Sequence, residues 1–271
     1  MMKHPHLAIT NDDGIDSPGL RAAVEAVADL GTLTVVAPTD QQTATGRGMT
    51  GNRQSGFRRF DYRYSGGVAT AYHCPCSPAQ VVRHALLTVF RQERPDLFIS
   101  GINYGENLGN MVTCSGTVGA ALEAASHRIP AIAVSKQTDI ASHHRYTDQK
   151  WEVTAYFLRI FVEKILSGSL LPDVDVLKID VPADATERTD WKLTTLSRTA
   201  YYSRFIDNPA FDSRICDFET RISVDSDRLE VGSDIHALAV ERIVSVTPLS
   251  IDLTSRVSFS DLHSKLNRES P

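Results

Sequence analysis

Short apolar segments of strand length alternate with amphipathic helical segments along the first part of this chain. Two of the helical segments open with serine followed by proline, at Ser17-Pro18 and Ser77-Pro78, which is typical of a helix N-terminus. The predicted strands are Leu7–Thr10, Leu33–Ala37, Val68–Tyr72, Asp96–Ser100, Ala131–Ser135 and Val176–Val181. Strands that alternate with helices predict a parallel sheet with helices on both faces. We therefore expect an α/β, doubly wound fold with a mostly parallel sheet.

The pattern changes after Pro182, where the remaining residues are polar and rich in strand-forming segments. Lys192–Leu196 and Ile243–Val246 are predicted strands, and an aromatic segment lies at Tyr201–Phe205. We therefore predict a catalytic core over residues 1–182 and a β-rich C-terminal extension over residues 183–271, rather than two independent cores.

The composition is that of an ordinary globular protein, with 42% hydrophobic and 23% charged residues. The net charge of −5 argues against binding to duplex nucleic acid, which requires a large cationic surface. No apolar run approaches the roughly 18 residues of a membrane helix, and the N-terminus has no apolar signal region. Cysteines are too few for a disulfide framework, and Cys74 and Cys76 have the spacing of neither a zinc knuckle nor a redox motif. We therefore expect a cytoplasmic protein that binds neither membrane nor duplex nucleic acid.

Two adjacent carboxylates, Asp12 and Asp13, directly follow the first predicted strand. The carboxyl ends of the strands form the ligand-binding edge of an α/β fold, and segments containing Thr43 and Asn103 follow two further strands. Carboxylates, an amide oxygen and a hydroxyl suit Mg²⁺ or Mn²⁺ better than zinc, which favours His and Cys. Residues 11–14 are also common in polar turns, and alone they favour a turn and a metal site equally. We expect these four side chains to converge on one ion.

The segment Ser115-Gly116-Thr117 directly precedes an Ala-rich helix. Free N–H groups at a helix N-terminus bind anions, and glycine lets the backbone approach a ligand closely. The alternative is that Ser115 or Thr117 only caps its helix, which is the commoner role of these residue types there. Taken with the acids and Asn103, the segment favours phosphate binding, with Asn107 as a further contact.

These motifs resemble those of the SurE family, the stationary-phase survival proteins that act as metal-dependent 5′/3′-nucleotidases and acid phosphatases. The resemblance rests on TNDDGIDSPG (residues 10–19), SGINYGENLG (100–109) and SGTVGAA (115–121), and on two later segments, KIDVP (178–182) and SVTPL (245–249). It implies a Rossmann-like core whose metal ligands are Asp12, Asp13 and Asn103, with Thr43 where the family usually carries serine. It also implies a C-terminal region that exchanges elements between the subunits of a homodimer or tetramer.

The predicted reaction is hydrolysis of a nucleoside monophosphate or another small phosphomonoester, with short polyphosphate as a further substrate. One divalent ion per subunit, Mg²⁺ or Mn²⁺, is the predicted cofactor. The predicted catalytic residues are Asp12, Asp13 and Asn103, and the predicted phosphate-binding residues are Asn107, Ser115, Gly116 and Thr117. The extra methyl group of Thr43 makes its side chain stiffer than serine, and the family's second loop often carries arginines where this chain has Asp40 and Gln42.

Other enzyme classes on similar folds lack their motifs in this chain. A dinucleotide-dependent oxidoreductase requires Gly-x-Gly-x-x-Gly after the first strand, where this chain has Asp-Asp-Gly. Gly51 and Gly56 have the interval of a P-loop, but Phe57-Arg58 follows in place of Lys and Ser or Thr. No Gly-x-Ser-x-Gly elbow of a serine esterase is present. A non-catalytic sensor of metal or nucleotide on the same scaffold is the alternative function.

Arginines alternate with aromatic residues over Arg53–Arg63. Such a segment suits binding of a base or phosphate, but arginine stems that lie along aromatic rings in a solvated hairpin have the same pattern. Charge-rich strands mostly face solvent, so we expect the hairpin.

Overall fold

The computed structural model describes residues 4–168, 170–225 and 227–267. Short 3₁₀ turns at Gly109–Cys114, Ile140–His144 and Ile215–Asp217 and a π-helical turn at His236–Val240 lie between the longer elements. The strands and helices, in chain order, are β1 (His6–Thr10), α1 (Pro18–Val27), β2 (Thr32–Pro38), β3 (Arg58–Tyr64), β4 (Gly67–Cys74), α2 (Pro78–Leu87), β5 (Leu97–Tyr104), α3 (Gly116–Ser126), β6 (Ala131–Lys136), α4 (Glu152–Ser167), β7 (Val176–Val181), β8 (Trp191–Leu193), β9 (Tyr202–Phe205), β10 (Glu219–Ile222), β11 (Val244–Leu249) and α5 (Phe259–Leu266).

In the described ranges the main sheet has nine strands in the order β3-β4-β2-β1-β5-β6-β7-β11-β8. The strands from β4 to β7 run parallel, whereas β3 and β11 run antiparallel to their inner neighbours β4 and β7. A separate antiparallel ribbon pairs β9 with β10. The chain moves outward from β1 on one side and returns to β5 on the other, so the strand order reverses between β1 and β5. The predicted α/β fold with a mostly parallel sheet is confirmed, and this reversal marks the edge where such folds bind ligands.

Helices cover both faces of the sheet. α1 and α4 share one buried apolar cluster with Ile9, and α2 and α3 share a second cluster with Ala8. Successive residues of β1 therefore point into opposite cores. Since the whole of Leu7–Thr10 is buried, this strand is covered on both faces rather than on one.

β5 is longer than the sequence predicts. It runs to Tyr104 instead of ending at Ser100, all its residues are buried, and its pairing with β6 shifts register between Ser100 and Asn103. Glycine at position 101 predicts a strand end, but the strand resumes pairing after the irregularity. Asn103 consequently lies in a strand at the carboxyl edge of the sheet.

The helices α1 and α2 begin at the predicted prolines, but their N-cap serines do not bond to the first turn. Ser77 instead donates to Gly48 O and accepts a hydrogen bond from Thr50 N, because two loops meet at its hydroxyl.

Residues beyond 182 contribute both to the main sheet and to separate segments. β11 pairs antiparallel with β7, and β8 pairs with β11. The β9–β10 ribbon stands apart from the main sheet, and no residue of α5 is buried. The division into a core and an extension at residue 182 stays a prediction.

The segment Arg53–Arg63 leads into the β3–β4 hairpin at one edge of the sheet, as expected, with Arg58 and Arg59 exposed. Cys74 and Cys76 are buried, and the four cysteines, all within the described ranges, are free. Among the helices that the structure describes, none has the length and apolar character to cross a membrane.

Candidate metal and phosphate site

Asp12 and Asp13 lie at the carboxyl edge of the sheet, two and three residues after the end of β1 at Thr10. Both are buried, with exposed fractions of 5% and 2%. The backbone here is fixed by the loop after β2, because Gln42 N–H donates to Asp12 O (2.7 Å). The acids are therefore held rigidly where two loops meet.

The Asp12 carboxylate packs against the first turn of α3. Thr117 Oγ1 donates a hydrogen bond to Asp12 Oδ1, and the N–H groups of Gly116 and Thr117 also stabilise the charged form. A Cβ atom at position 116 would lie 2.7 Å from both Cβ and Oδ2 of Asp12. Glycine at this position is therefore what allows the carboxylate to reach the helix N-terminus.

Asp13 is oriented by two donors from different loops. Tyr104 N–H donates to Asp13 Oδ2 (3.2 Å), and Gln41 Nε2 donates to Asp13 Oδ1 (2.9 Å). Tyr146 O–H donates to the Asp13 carbonyl oxygen (2.6 Å), so the segment after β6 also contacts this residue. All these donors are neutral, so they fix the position of the carboxylate without neutralising its charge.

The two carboxylates carry strongly perturbed acidities. Burial raises the pKa of Asp12 to about 6, although Thr117 and the first turn of α3 act to lower it. Burial and then the neighbouring Asp12 charge raise the pKa of Asp13 to about 8. Within the described residues, neither acid belongs to an ion pair. Two adjacent buried acids with no cationic partner fit a divalent cation, which would supply the missing positive charge.

The other two predicted metal ligands lie at different depths. Asn103 is 8% exposed and donates through Nδ2 to Gly105 O (2.6 Å), which leaves its Oδ1 without a donor among the described residues. Thr43 is exposed, and its hydroxyl donates to His143 O (3.3 Å), which also accepts from Gln41 Nε2 (3.0 Å). Asn103 thus adjoins Tyr104, which binds Asp13, whereas Thr43 is linked to Asp13 only through Gln41.

The donor set favours a hard cation. In the described part of the chain, no group of three or more His, Cys, Asp and Glu side chains is arranged to hold a metal ion. The available oxygens come instead from two carboxylates, an amide and a hydroxyl, which suit Mg²⁺ or Mn²⁺.

Most of the predicted phosphate-binding residues already have partners. Ser115 Oγ accepts from Val118 N–H (3.1 Å), so it caps α3, which is the alternative role weighed from the sequence. Thr117 donates to Asp12, and Asn107 Nδ2 donates to Ser135 Oγ (2.9 Å). The Ser115 hydroxyl proton has no acceptor among the described residues. The structure places Gly116 and Thr117 against Asp12, whereas the recorded partners of Asn107 are Ser135 and Asp180. Most of the donors of the predicted phosphate-binding residues are therefore engaged within the protein.

A buried ion cluster supports the loop that follows β5. Lys178 Nζ lies 2.5 Å from Asp180 Oδ2 and 3.1 Å from Asp234 Oδ2, and all three side chains are fully buried. Asn107 N–H donates to Asp180 Oδ1 (2.7 Å), and Gly109 N–H donates to Asp234 Oδ2 (2.9 Å). Burial acts to lower the pKa of Lys178, but the two acids together raise it above its ordinary value. This cluster, the buried triad, fixes the backbone at residues 107–109.

A second ion pair supports the loop that carries Thr43. Arg47 Nε lies 2.8 Å from Glu123 Oε2, and Arg83 Nε lies 2.7 Å from Glu123 Oε1. Gly46 N–H donates to Cys114 O (3.0 Å). The loop after β2 is therefore tied to α3, the helix that also contacts Asp12.

Sequence reasoning missed the residues that orient the acids. Gln41 lies two residues before Thr43 in the same polar loop. The position of that loop after a strand was a sequence signal that its other polar residues, including Gln41, could also contact the acids. His143 and Tyr146 come from a segment without periodicity, and no sequence signal identified them. Lys178 and Asp180 were visible as charged residues in an otherwise apolar strand, which is a signal for a buried ion pair.

Comparisons with known proteins agree with the fold. The family model described as Survival protein SurE matches residues 7–203. The 5′-nucleotidase SurE of Thermococcus gammatolerans is 41% identical over 271 residues, covering 97% of each chain, and that of Thermococcus kodakarensis is 38% identical, covering 96% of this chain and 98% of the relative. The crystal structure of the SurE protein from Aquifex aeolicus matches with a TM-score of 0.77 at 28% identity, covering 97% of this chain and 100% of that one. This chain therefore belongs to the survival protein SurE family.

Proposed function

We propose that this chain is a divalent-metal-dependent phosphomonoesterase that hydrolyses nucleoside monophosphates. The observation that carries the proposal is the pair of adjacent buried acids, Asp12 and Asp13, at the ligand-binding edge with no cationic partner among the described residues. The relatives from Thermococcus bear the name 5′-nucleotidase, which supports a nucleoside monophosphate as the substrate class. One Mg²⁺ or Mn²⁺ ion per subunit matches the oxygen donor set.

Asp12, Asp13 and the free Oδ1 of Asn103 would hold the ion, with Thr43 as an outer ligand. A bound divalent ion neutralises phosphoryl oxygens and lowers the pKa of water. Asp12, Asp13 and Asn103 are each 8% exposed or less, so this part of the site also restricts the entry of bulk water.

The surrounding residues position these ligands. Thr117 and the N–H groups of the first α3 turn favour the charged form of Asp12 against the effect of burial, and Gln41 with the Tyr104 N–H group orients Asp13. We propose that Ser115, whose hydroxyl proton is free, donates to a phosphoryl oxygen. Gly116 and Asn107 would shape this side of the site without donating a side-chain hydrogen bond to the substrate.

The test is Asp12→Asn, which keeps the size of the side chain and removes its charge. We expect turnover of p-nitrophenyl phosphate and AMP with Mn²⁺ to fall by about 1000-fold, since loss of a metal contributes several kcal/mol to the barrier. Asp16→Asn is the matched control, because Asp16 is an exposed acid on the same loop. Wild-type turnover in Asp12→Asn, or turnover by the wild type that EDTA leaves unchanged, would contradict the proposal.

Two further outcomes refine the function. If the wild-type protein binds Mn²⁺ and AMP but releases no phosphate, the chain is a sensor rather than an enzyme. A substrate panel of 5′-AMP, 3′-AMP and tripolyphosphate, run with each ion, determines whether short polyphosphate is also hydrolysed.

We also propose that the chain forms a homodimer or tetramer through its C-terminal extension. No residue of α5 is buried, and Leu262 and Leu266 on it are exposed, as are Phe211 and Ile215 after the β9 strand. Exposed apolar side chains of this kind favour contact with a second copy of the chain. Light scattering on Leu262→Asp with Leu266→Asp should show a smaller assembly than the wild type, and an unchanged mass would contradict the proposal.

A further inference from the structure

Lys136, the last residue of β6, is a buried lysine outside the acidic pair. It is 6% exposed and lies opposite Tyr104 in the pairing of β5 with β6. Gly105 N–H donates to Lys136 O (2.9 Å), so its backbone is fixed at the carboxyl edge of the sheet. Tyr104 N–H binds Asp13, which places Lys136 one strand away from the proposed metal site.

The ammonium group of Lys136 lacks a direct partner. Among the described residues, no carboxylate forms an ion pair with it and no group accepts a hydrogen bond from it. Burial lowers the pKa of Lys136, and Glu152 at the start of α4 raises it through space. The contrast with Lys178 is direct, because that buried lysine touches two carboxylates. An anion bound beside this ammonium group would compensate its charge.

Lys136 lines a cavity of about 540 Å³, a volume typical of small-molecule sites. The cavity lies where the segments after β6 and before α4 meet the start of the C-terminal extension. Lys150 is a second cation in its wall, and Asp139 and Asp148 are acceptors there. Thr138 and Gln149 add neutral polar groups.

We propose that Lys136 anchors a second anion site in this cavity, separate from Asp12 and Asp13, that binds the phosphate group of a small molecule. Lysine binds phosphate as a point charge, and Lys150 adds a second positive charge at the mouth. Asp139 and Asp148 repel negative charge in part, but they accept hydrogen bonds from hydroxyl or amino groups, including the P–O–H group of hydrogen phosphate. The matching ligand therefore carries a phosphate together with such donors, as a nucleotide does. The phosphate belongs either to a second phosphoryl group of the substrate or to a separate molecule.

Titration calorimetry with inorganic phosphate on metal-free protein tests the site independently of hydrolysis. In EDTA at constant ionic strength, the acidic pair repels phosphate, so binding reports on Lys136. We expect saturable binding to the wild type, at least about 10-fold weaker binding to Lys136→Met and retained binding to Lys136→Arg. Lys164→Met, which removes an exposed lysine of α4, is the matched control and should bind as the wild type does.

The proposal is overturned if the wild type shows no saturable phosphate binding, or if Lys136→Met binds as well as the wild type. Circular dichroism and thermal melting check the fold of each variant. Lys136→Met should melt no lower than the wild type in phosphate-free buffer, because it removes an unpaired buried charge. Lys136→Arg keeps the positive charge but changes the shape of the side chain. Its phosphate affinity therefore shows whether weaker binding by Lys136→Met comes from the lost charge or from the altered shape.

Kinetics on the Mn²⁺-loaded enzyme then identify the source of the phosphate. If Lys136→Met raises KM for adenosine 3′,5′-bisphosphate but not for AMP, the site takes a second phosphoryl group of the substrate. If both KM values are unchanged while phosphate binding is lost, the site takes a separate molecule. The calorimetry succeeds or fails whether or not the chain hydrolyses phosphate, so failure of this site and failure of the proposed function are distinguishable.

Discussion

Two clusters of buried charge near the same edge of the sheet are stabilised in opposite ways. In the buried triad, Lys178 lies between Asp180 and Asp234, and backbone N–H groups bind the remaining carboxylate oxygens. In the acidic pair, Asp12 and Asp13 receive hydrogen bonds only from neutral groups, and their pKa values are raised. The charges of the first cluster are compensated within the protein, whereas those of the second cluster are not.

The difference is the one expected between charges that support a fold and charges that serve a ligand, the role we propose for Asp12 and Asp13. Ion pairs that only support a loop are satisfied within the fold, whereas charges that serve a ligand are positioned and left uncompensated. The acidic pair therefore destabilises the metal-free protein in proportion to the charge it carries. The buried triad should do the reverse, since removal of one member leaves the others unpaired.

The largest expected effect comes from Lys178→Met, which breaks the buried triad. Two carboxylates would remain buried without a cation, so the free energy of unfolding should fall by about 3–5 kcal/mol. Urea unfolding at pH 7 measures this change in the free energy of unfolding. The exposed Lys164→Met should change stability by less than about 0.5 kcal/mol, and an equally small change in Lys178→Met would show that the triad does not stabilise the fold.

A smaller effect of opposite sign is expected from Asp13→Asn in EDTA. The folded-state pKa of Asp13 is raised to about 8 from its ordinary 3.8, so the wild type loses stability as pH rises between those values. The variant has no charge to bury, and at pH 8 it should be more stable than the wild type by more than about 1 kcal/mol. The difference should shrink steadily as pH falls toward 4 and disappear only below the ordinary pKa of 3.8, where the carboxyl is protonated in the unfolded chain as well.

Urea unfolding at pH 4, 6 and 8 measures this difference, with the exposed Asp16→Asn as control. Saturating Mn²⁺ should reverse the order at pH 8, because the ion binds the folded wild type and not the variant. A variant less stable than the wild type in EDTA at pH 8 would mean that Asp13 is compensated by the fold itself.

The smallest effect is expected from Thr43→Val, at the exposed edge of the site. Its hydroxyl contacts only His143 O, so stability should change by less than about 0.5 kcal/mol. If the hydroxyl reaches the ion, the Mn²⁺ dissociation constant measured by calorimetry should rise by about 10-fold, while Thr43→Ser should match the wild type. Equal Mn²⁺ affinities in the wild type, Thr43→Val and Thr43→Ser would show that Thr43 is not a metal ligand.

The core of the fold can be predicted from sequence because its central strands are short, mostly apolar segments that alternate with amphipathic helices. The bounds of β7, Val176–Val181, follow from the sequence, and those of β1 differ by one residue. The end of β5 cannot be predicted in the same way, because Gly101 interrupts the pattern before pairing resumes at Asn103. The polar β9–β10 ribbon also lacks the apolar signal that identifies central strands.

The candidate site is predictable only where its residues follow strands. Asp12 and Asp13 lie at a strand end, which the topology of a parallel sheet places at the binding edge. Gln41 and Tyr146 contact Asp13 from loops, and such contacts depend on tertiary packing rather than on spacing. Asp12 accepts hydrogen bonds from most of the amide and hydroxyl donors at the start of α3, and no local sequence pattern reveals that contact.

The position of Asp234 in the chain has a consequence for biosynthesis. A ribosome releases the N-terminus first, so Asp12 and Asp13 emerge long before the residue that completes the support under Gly109. A nascent chain that has reached β7 exposes Lys178 and Asp180 without their third member. The loop at residues 107–109 can therefore gain its full support only near the end of translation, and translation products that end before Asp234 would lack that support.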